Sequence, residues 1–183
     1  MSVSLFATVD QRRAIIDRRA LADELGGFKG RKRQADAAPI LKGALENGRE
    51  EIARRLREEP GRGRNAARAT AFLHDQIVRL AHDFVTGDDS AEPMAVVGLG
   101  GTGRGEMAPF SDVVLMVLTE SKPTKQQEAL AEALFRLLWD IKLKLGHSIR
   151  SLPDLLALAK QDMTIRTALL EARWLWGDAA LFD

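Results

Sequence analysis

Residues 98–118 read GLGGTGRGEMAPFSDVVLMVL, a run of glycines that gives way to a serine–aspartate pair and then to an unbroken apolar stretch. Gly98, Gly100, Gly101, Gly103 and Gly105 fall within eight residues, and without Cβ atoms the backbone N–H groups there can approach an anion closely. Arg104 sits among them and makes a merely flexible turn hard to sustain. The spacing is not a Walker loop, because no Gly-Lys-Ser/Thr follows. It matches a dinucleotide fingerprint only loosely, because a strand follows the loop where a helix would have to open. The stretch from Val113 to Leu118 is apolar on both faces and predicts a strand in the interior of its sheet. Asp112 stands at the mouth of that strand, where a carboxylate can hold a divalent cation that bridges phosphates. Side chains alternate along a strand, so the residue sharing its face is Val114.

Working outward, "TGDDSAEP" marks a boundary at residues 86–93, and "MAVVGL" reads as a short buried strand ahead of the glycines. Everything earlier is expected to be helical: residues 9–25, residues 40–58, and residues 65–86, where Ala69, Leu73, Ile77, Leu80, Ala81 and Phe84 form one apolar stripe. The basic stretch "FKGRKRQADAAPI" carries Gly30 and Pro39 and reads as a connection. After the central strand, Leu130, Leu134, Leu137, Leu138, Ile141 and Leu145 predict a long helix over 125–145 stopped by Gly146. "HSIRS" is a third strand candidate, Pro153 suits the first turn of a helix, and further helical pieces are expected at 164–176 and 178–183. The order predicts an α+β fold, a small sheet flanked by helices, with a helical segment over residues 1–88 and the core over residues 89–183.

Composition narrows the chemistry. The 183 residues contain no cysteine, which excludes disulfides, thiolate metal sites and cysteine nucleophiles. No apolar run reaches the roughly 18 residues of a membrane-spanning helix, and no secretory leader opens the sequence, so a cytoplasmic protein with no membrane partner is expected. The net charge of +1 hides a basic front: residues 1–70 hold 16 Lys and Arg against 10 Asp and Glu, and the remainder 11 against 16. Lys29, Arg31, Lys32 and Arg33 lack interleaved aromatics and any recognition motif, which makes nucleic-acid binding the weakest of the readings.

Other polar constellations read as structural. His74-Asp75 and His82-Asp83 resemble metal-binding dyads, but eight residues of helix separate the histidines by about 12 Å, too far for one ion. Glu106 is the nearest other carboxylate to Asp112 in the sequence, and as a loop residue it is as well suited to cap a turn or pair with Arg104. His147 reads as a structural histidine, Arg150 as a residue able to reach a phosphate or an acidic partner. Trp139, Trp174 and Trp176 lie among leucines and are expected on helices as core or interface anchors.

With these residues in view, the stretch resembles the nucleotidyltransferase superfamily motif of paired glycines, a spacer, and aspartate-x-aspartate on a strand. More narrowly it is similar to the amino-terminal domain of the bacterial PII uridylyltransferase/uridylyl-removing enzyme family. That match rests on Gly100-Gly101-x-Gly103-Arg104-Gly105-Glu106, on Pro109-x-Ser111-Asp112, and on the later segments LWDIKLKLGHSIR and DMTIRTALLEARWLWGD. The resemblance implies Mg²⁺-dependent transfer of UMP from UTP to a tyrosine of the nitrogen-signalling protein PII; UTP over ATP rests on the longer match alone. It implies a nucleotide-binding set of Gly100, Gly101, Thr102, Gly103, Arg104 and Ser111, with Asp112 as catalytic carboxylate and metal ligand. Thr102 stands where the family usually has tyrosine, and Ile141-Lys142 where it often has leucine-glycine. The largest departure is Val114 in place of the second metal-binding aspartate, which implies impaired transfer or a non-catalytic nucleotide- or PII-binding module. The family's hydrolase and ACT domains find no match here, so a transferase domain by itself, or a degenerate relative, is expected.

Overall fold

The apolar run after Asp112 is strand β2, Val113–Thr119, and the sheet is built around it. This computed structural model describes residues 5–27, 33–87 and 93–183. Strand β1, Ala95–Gly98, runs antiparallel to β2, with Ala95 opposite Leu118 and Gly98 opposite Leu115. Strand β3, Leu145–Ser151, runs parallel to β2 on its other side, and β4, Arg173–Gly177, pairs antiparallel with β1. The order β3-β2-β1-β4 puts β2 in the interior, as its two apolar faces predict. The fold is α+β, with a small mixed sheet and an amino-terminal helical segment.

Alternation along β2 divides the interior in two. Val113, Leu115 and Val117 face the main core, built with helices α3 (Arg33–Glu58), α4 (Gly63–Thr86) and α6 (Lys125–Asp140). The stripe read from α4 is buried throughout, with Leu73, Ile77 and Ala81 fully enclosed. Met116 and Leu118 point to the opposite face, where Ala95, Val97 and Leu155 form a smaller cluster with Ile165, Leu169 and Trp174 around it.

Several boundaries differ from expectation, each for a local reason. The helix expected over 9–25 is two, α1 (Arg12–Ile15) and α2 (Arg18–Gly26). Ile16 is extended, and Asp17 Oδ1 accepts from the N–H groups of Arg19 and Ala20, which starts a new helix. The connection expected around Pro39 falls partly on residues 28–32, outside the described residues; from Arg33 onward it is helix α3, with Pro39 exposed inside it. Its first turn is held by Gln34 Nε2, which donates to Ala133 O at 2.9 Å, and its inner face by fully buried Ala37, Leu41 and Leu45.

Helix α6 starts on a capping box made by Thr124 and Gln127 and ends at Asp140, short of Gly146. Lys142 takes a left-handed conformation (φ 62°) and redirects the chain, so Leu145 and Gly146 begin β3. Ser151 then caps helix α7 (Leu152–Gln161), and Asp162 caps α8 (Met163–Leu170). Helix α8 stops short because the free edge of β1 recruits residues 173–177 as β4, with a bulge opposite Val96 and Val97. Trp174 and Trp176 therefore lie on a strand, and only Trp139 lies on a helix. Residues 178–183 form turns, not a helix.

Candidate nucleotide site

The glycine run does open a helix, a short one: α5, Gly100–Arg104, follows β1 directly. Gly100 enters it at φ +54°, a conformation that favours glycine. Gly103 is required for a different reason, because a Cβ there would lie 1.8 Å from Glu171 O. Thr102 is buried, and its Oγ1 accepts from the Val114 N–H at 3.1 Å. The backbone N–H of Leu99 donates to Val114 O at 3.0 Å. Both main-chain polar groups of Val114 are thus tied to the glycine segment, which fixes α5 against the first turn of β2.

Arg104 folds back so that its Nη2 lies 3.9 Å from where a Gly101 Cβ would be, while its Nη1 donates to Glu171 Oε2 at 2.5 Å. Ser111 is half-buried, and its N–H donates to Ala108 O at 3.1 Å. Asp112 is exposed at the start of β2. Between them and the glycines, Phe110 is 80% exposed with φ 66°.

Glu106 does not pair with Arg104, which is bonded to Glu171. It accepts from Arg64 Nε at 2.9 Å and Arg68 Nε at 3.1 Å, both on α4. The Arg64 hydrogen bond, with help from Arg68, holds its carboxyl below the usual glutamate range. Val114 stands opposite Gly146 of β3, and a Cβ at Gly146 would be 3.7 Å from Val114 Cγ2. An alkyl group therefore occupies the face that Asp112 shares, at the position where the resemblance implies a second carboxylate. Among the described residues no three His, Cys, Asp or Glu side chains gather as a metal cluster. The residues present do not fit a two-carboxylate Mg²⁺ site.

The two His–Asp dyads are separate features. His74 is buried on α4, its Nδ1 3.4 Å from Met107 Sδ, and burial, reinforced by Arg49, pushes its pKa down to about 4. Asp83 accepts from Trp176 Nε1 at 2.5 Å. His147 is packed against the rings of Phe135 and Trp139, at 4.5 and 4.9 Å between centroids, on the α6 side of the sheet. Arg150, exposed on β3, is the register partner of Leu118.

Asp75 has a role that its sequence neighbourhood conceals. It lies fully buried on α4 and accepts from Arg173 Nη1 at 2.7 Å and Arg173 Nη2 at 3.1 Å. Burial pushes its carboxyl upward, and the hydrogen bonds and charge of Arg173 oppose that shift. The same guanidinium donates from Nε to Gly103 O at 2.9 Å and from Nη2 to Thr102 O at 2.7 Å. Arg173 lies inside a segment that carries the family resemblance, but no local pattern connects it to a partner 98 residues away.

A glycine-rich turn bonded to the first residues of a central strand, with a carboxylate at the strand's mouth and helices on both faces, makes an α+β protein that fits the resemblance to the nucleotidyltransferases. No family model matches the chain. It is 46% identical, over 96% of its length, to the bifunctional uridylyltransferase/uridylyl-removing enzyme of Novosphingobium aromaticivorans. The enzymes of the same name from Erythrobacter litoralis and Zymomonas mobilis are 43% and 42% identical over 96% and 100% of the chain. The chain belongs to the family of these bifunctional enzymes, and it spans 20% of the length of each of these relatives. Among the described residues no helix is long and apolar enough to cross a membrane.

Proposed function

We propose that the chain is a uridylyl-transfer domain whose substrates are UTP and a tyrosine of PII, and that transfer is impaired in it. The reaction joins the tyrosine oxygen to the α-phosphorus of UTP, breaks the bridging bond to the β-phosphate and releases pyrophosphate; the acceptor proton has to leave as well. Gly100, Gly101, Thr102 and Gly103 offer backbone to the phosphates, Arg104 a guanidinium, Ser111 a hydroxyl at the rim, and Asp112 the carboxylate next to the reacting atoms. Residues 89–183 carry this chemistry and the helices of residues 1–88 support it; a cytoplasmic location goes with a nucleotide substrate.

The observation that carries the reading of impairment is Val114, seated beside Gly146 on the face of Asp112. Charge that builds up at the reacting phosphate is normally offset by preorganised groups worth several kcal/mol, and an isopropyl group offers none. Mg²⁺ would come to this site with the nucleotide, and on the Asp112 face of β2 the strand offers it no second carboxylate. The same observation favours a second reading, a non-catalytic nucleotide- or PII-binding module.

Titration calorimetry with UTP and Mg²⁺ tests the shared premise. Micromolar binding with no detectable labelling of PII is the expected outcome for the chain as it stands. No binding of UTP would sink the transfer reading and the nucleotide-binding module, and no binding of PII either would sink the second reading altogether.

A further inference from the structure

We propose that Arg173, held by Asp75, is a positioning residue for the glycine turn and sets its affinity for a polyphosphate. This inference rests on the nucleotide reading of the site. Four hydrogen bonds leave the Arg173 guanidinium: two go to Asp75 on α4, at 2.7 and 3.1 Å, and two to the carbonyls of Thr102 and Gly103, at 2.7 and 2.9 Å. Its Cζ also lies 5.3 Å from the centroid of the Phe6 ring. The Asp75 side chain is fully enclosed and that of Arg173 is 20% exposed, so water competes little for these bonds.

The two carbonyls belong to the very residues whose backbone is expected to meet the phosphates. Fixing a peptide's C=O fixes the plane of the N–H that follows it; the Gly103 N–H is held on Leu99 O at 3.1 Å, so Arg173 acts by locking the turn that presents the amides ahead of it and by orienting the Arg104 amide. Its neighbour in the chain acts on the same turn: Glu171 presses its carbonyl against Gly103 and takes Arg104 with its carboxylate. The α8–β4 junction therefore grips the glycine turn from residues 171 and 173 together. Only a planar, five-donor guanidinium can serve a bidentate carboxylate and two carbonyls at once; a lysine keeps the charge but not the fork.

The test compares the wild-type chain with Arg173→Lys and Asp75→Asn, using UTP and inorganic tripolyphosphate as probes. Affinities are measured at a temperature where circular dichroism shows each protein fully folded. Arg173→Lys is expected to weaken both probes by the same factor, about tenfold or more, because the defect lies in the phosphate-facing backbone and not in base recognition. Asp75→Asn keeps the shape of the side chain and is expected to weaken both by a smaller common factor; it carries the test if Arg173→Lys does not fold. Unchanged affinities in a folded variant would overturn the proposal and leave the nucleotide reading intact. Failure of the wild-type chain to bind either probe would overturn the nucleotide reading, and this inference with it.

Discussion

His74 shows how a single side chain ties burial to pH. Its pKa of about 4 lies below the ordinary 6.5 because the buried ring resists a charge. Above pH 6.5 neither folded nor unfolded chain holds the proton; as the pH falls, the unfolded chain takes it up while the folded one refuses, until about pH 4. Stability is therefore lost on acidification through that window, by about 2 kcal/mol between pH 7 and pH 5 from this group alone. Denaturant titrations at the two pH values should show that the loss shrinks by most of that amount in His74→Gln. An equal loss in the variant would remove His74 as the cause. Val114 bears on the proposed chemistry as His74 does on stability. Its place on the Asp112 face follows from side-chain alternation along the strand and was legible in the sequence. The side chains that cover the rest of the site were not: Glu106 meets Arg64 and Arg68 from a helix some forty residues earlier.

At the scale of elements, what periodicity could reveal and what it could not separate cleanly. Helix α6 buries one face, so its stripe shows in the sequence; α4 is enclosed all round over residues 69–78, so its apolar stripe marks the helix but not the burial of His74 and Asp75 beside it. Strand β4 has no such signature: Trp174, Leu175 and Trp176 continue a leucine-rich helical segment, and only the open edge of β1 makes them a strand. The glycine segment behaves similarly, since five residues of helix leave no period to read. Its packing makes a firm prediction. Gly103→Ala would drive a Cβ to within 1.8 Å of Glu171 O, and the backbone shift needed should cost about 1–3 kcal/mol, measurable as a lower urea midpoint at unchanged slope. At the start of α6, Thr124→Ala removes half of the capping box and should cost about 1 kcal/mol. A wild-type midpoint in Thr124→Ala would mean that the cap is idle.

For the whole molecule, the helical segment and the sheet share one interior: Ile15, Leu41 and Leu73 belong to the same cluster as Val113, Leu115 and Val117 of β2 and Leu175 of β4. Spectroscopy can test that unity, because the chain has no tyrosine and its three tryptophans, Trp139, Trp174 and Trp176, all lie in the second half. Trp139 and Trp174 therefore report on α6 and the sheet, Trp176 on the contact of β4 with α4, and far-ultraviolet circular dichroism largely on the long helices α3 and α4. Thermal unfolding followed by the two signals should give coincident curves; separated midpoints would mean two cooperative units. The shared interior also explains how residues on α4 and β4, far apart in sequence, come to shape a turn between β1 and β2. In the proposed reading, what that turn lacks is a second acid on its strand. The most direct measurement of this is transfer of labelled UMP from UTP to PII by the wild-type chain and by Val114→Asp. Little or no labelling by the former and a gain of about 100-fold or more in the latter are predicted; efficient labelling by the wild-type chain, or none by either, would contradict the impairment assigned to Val114.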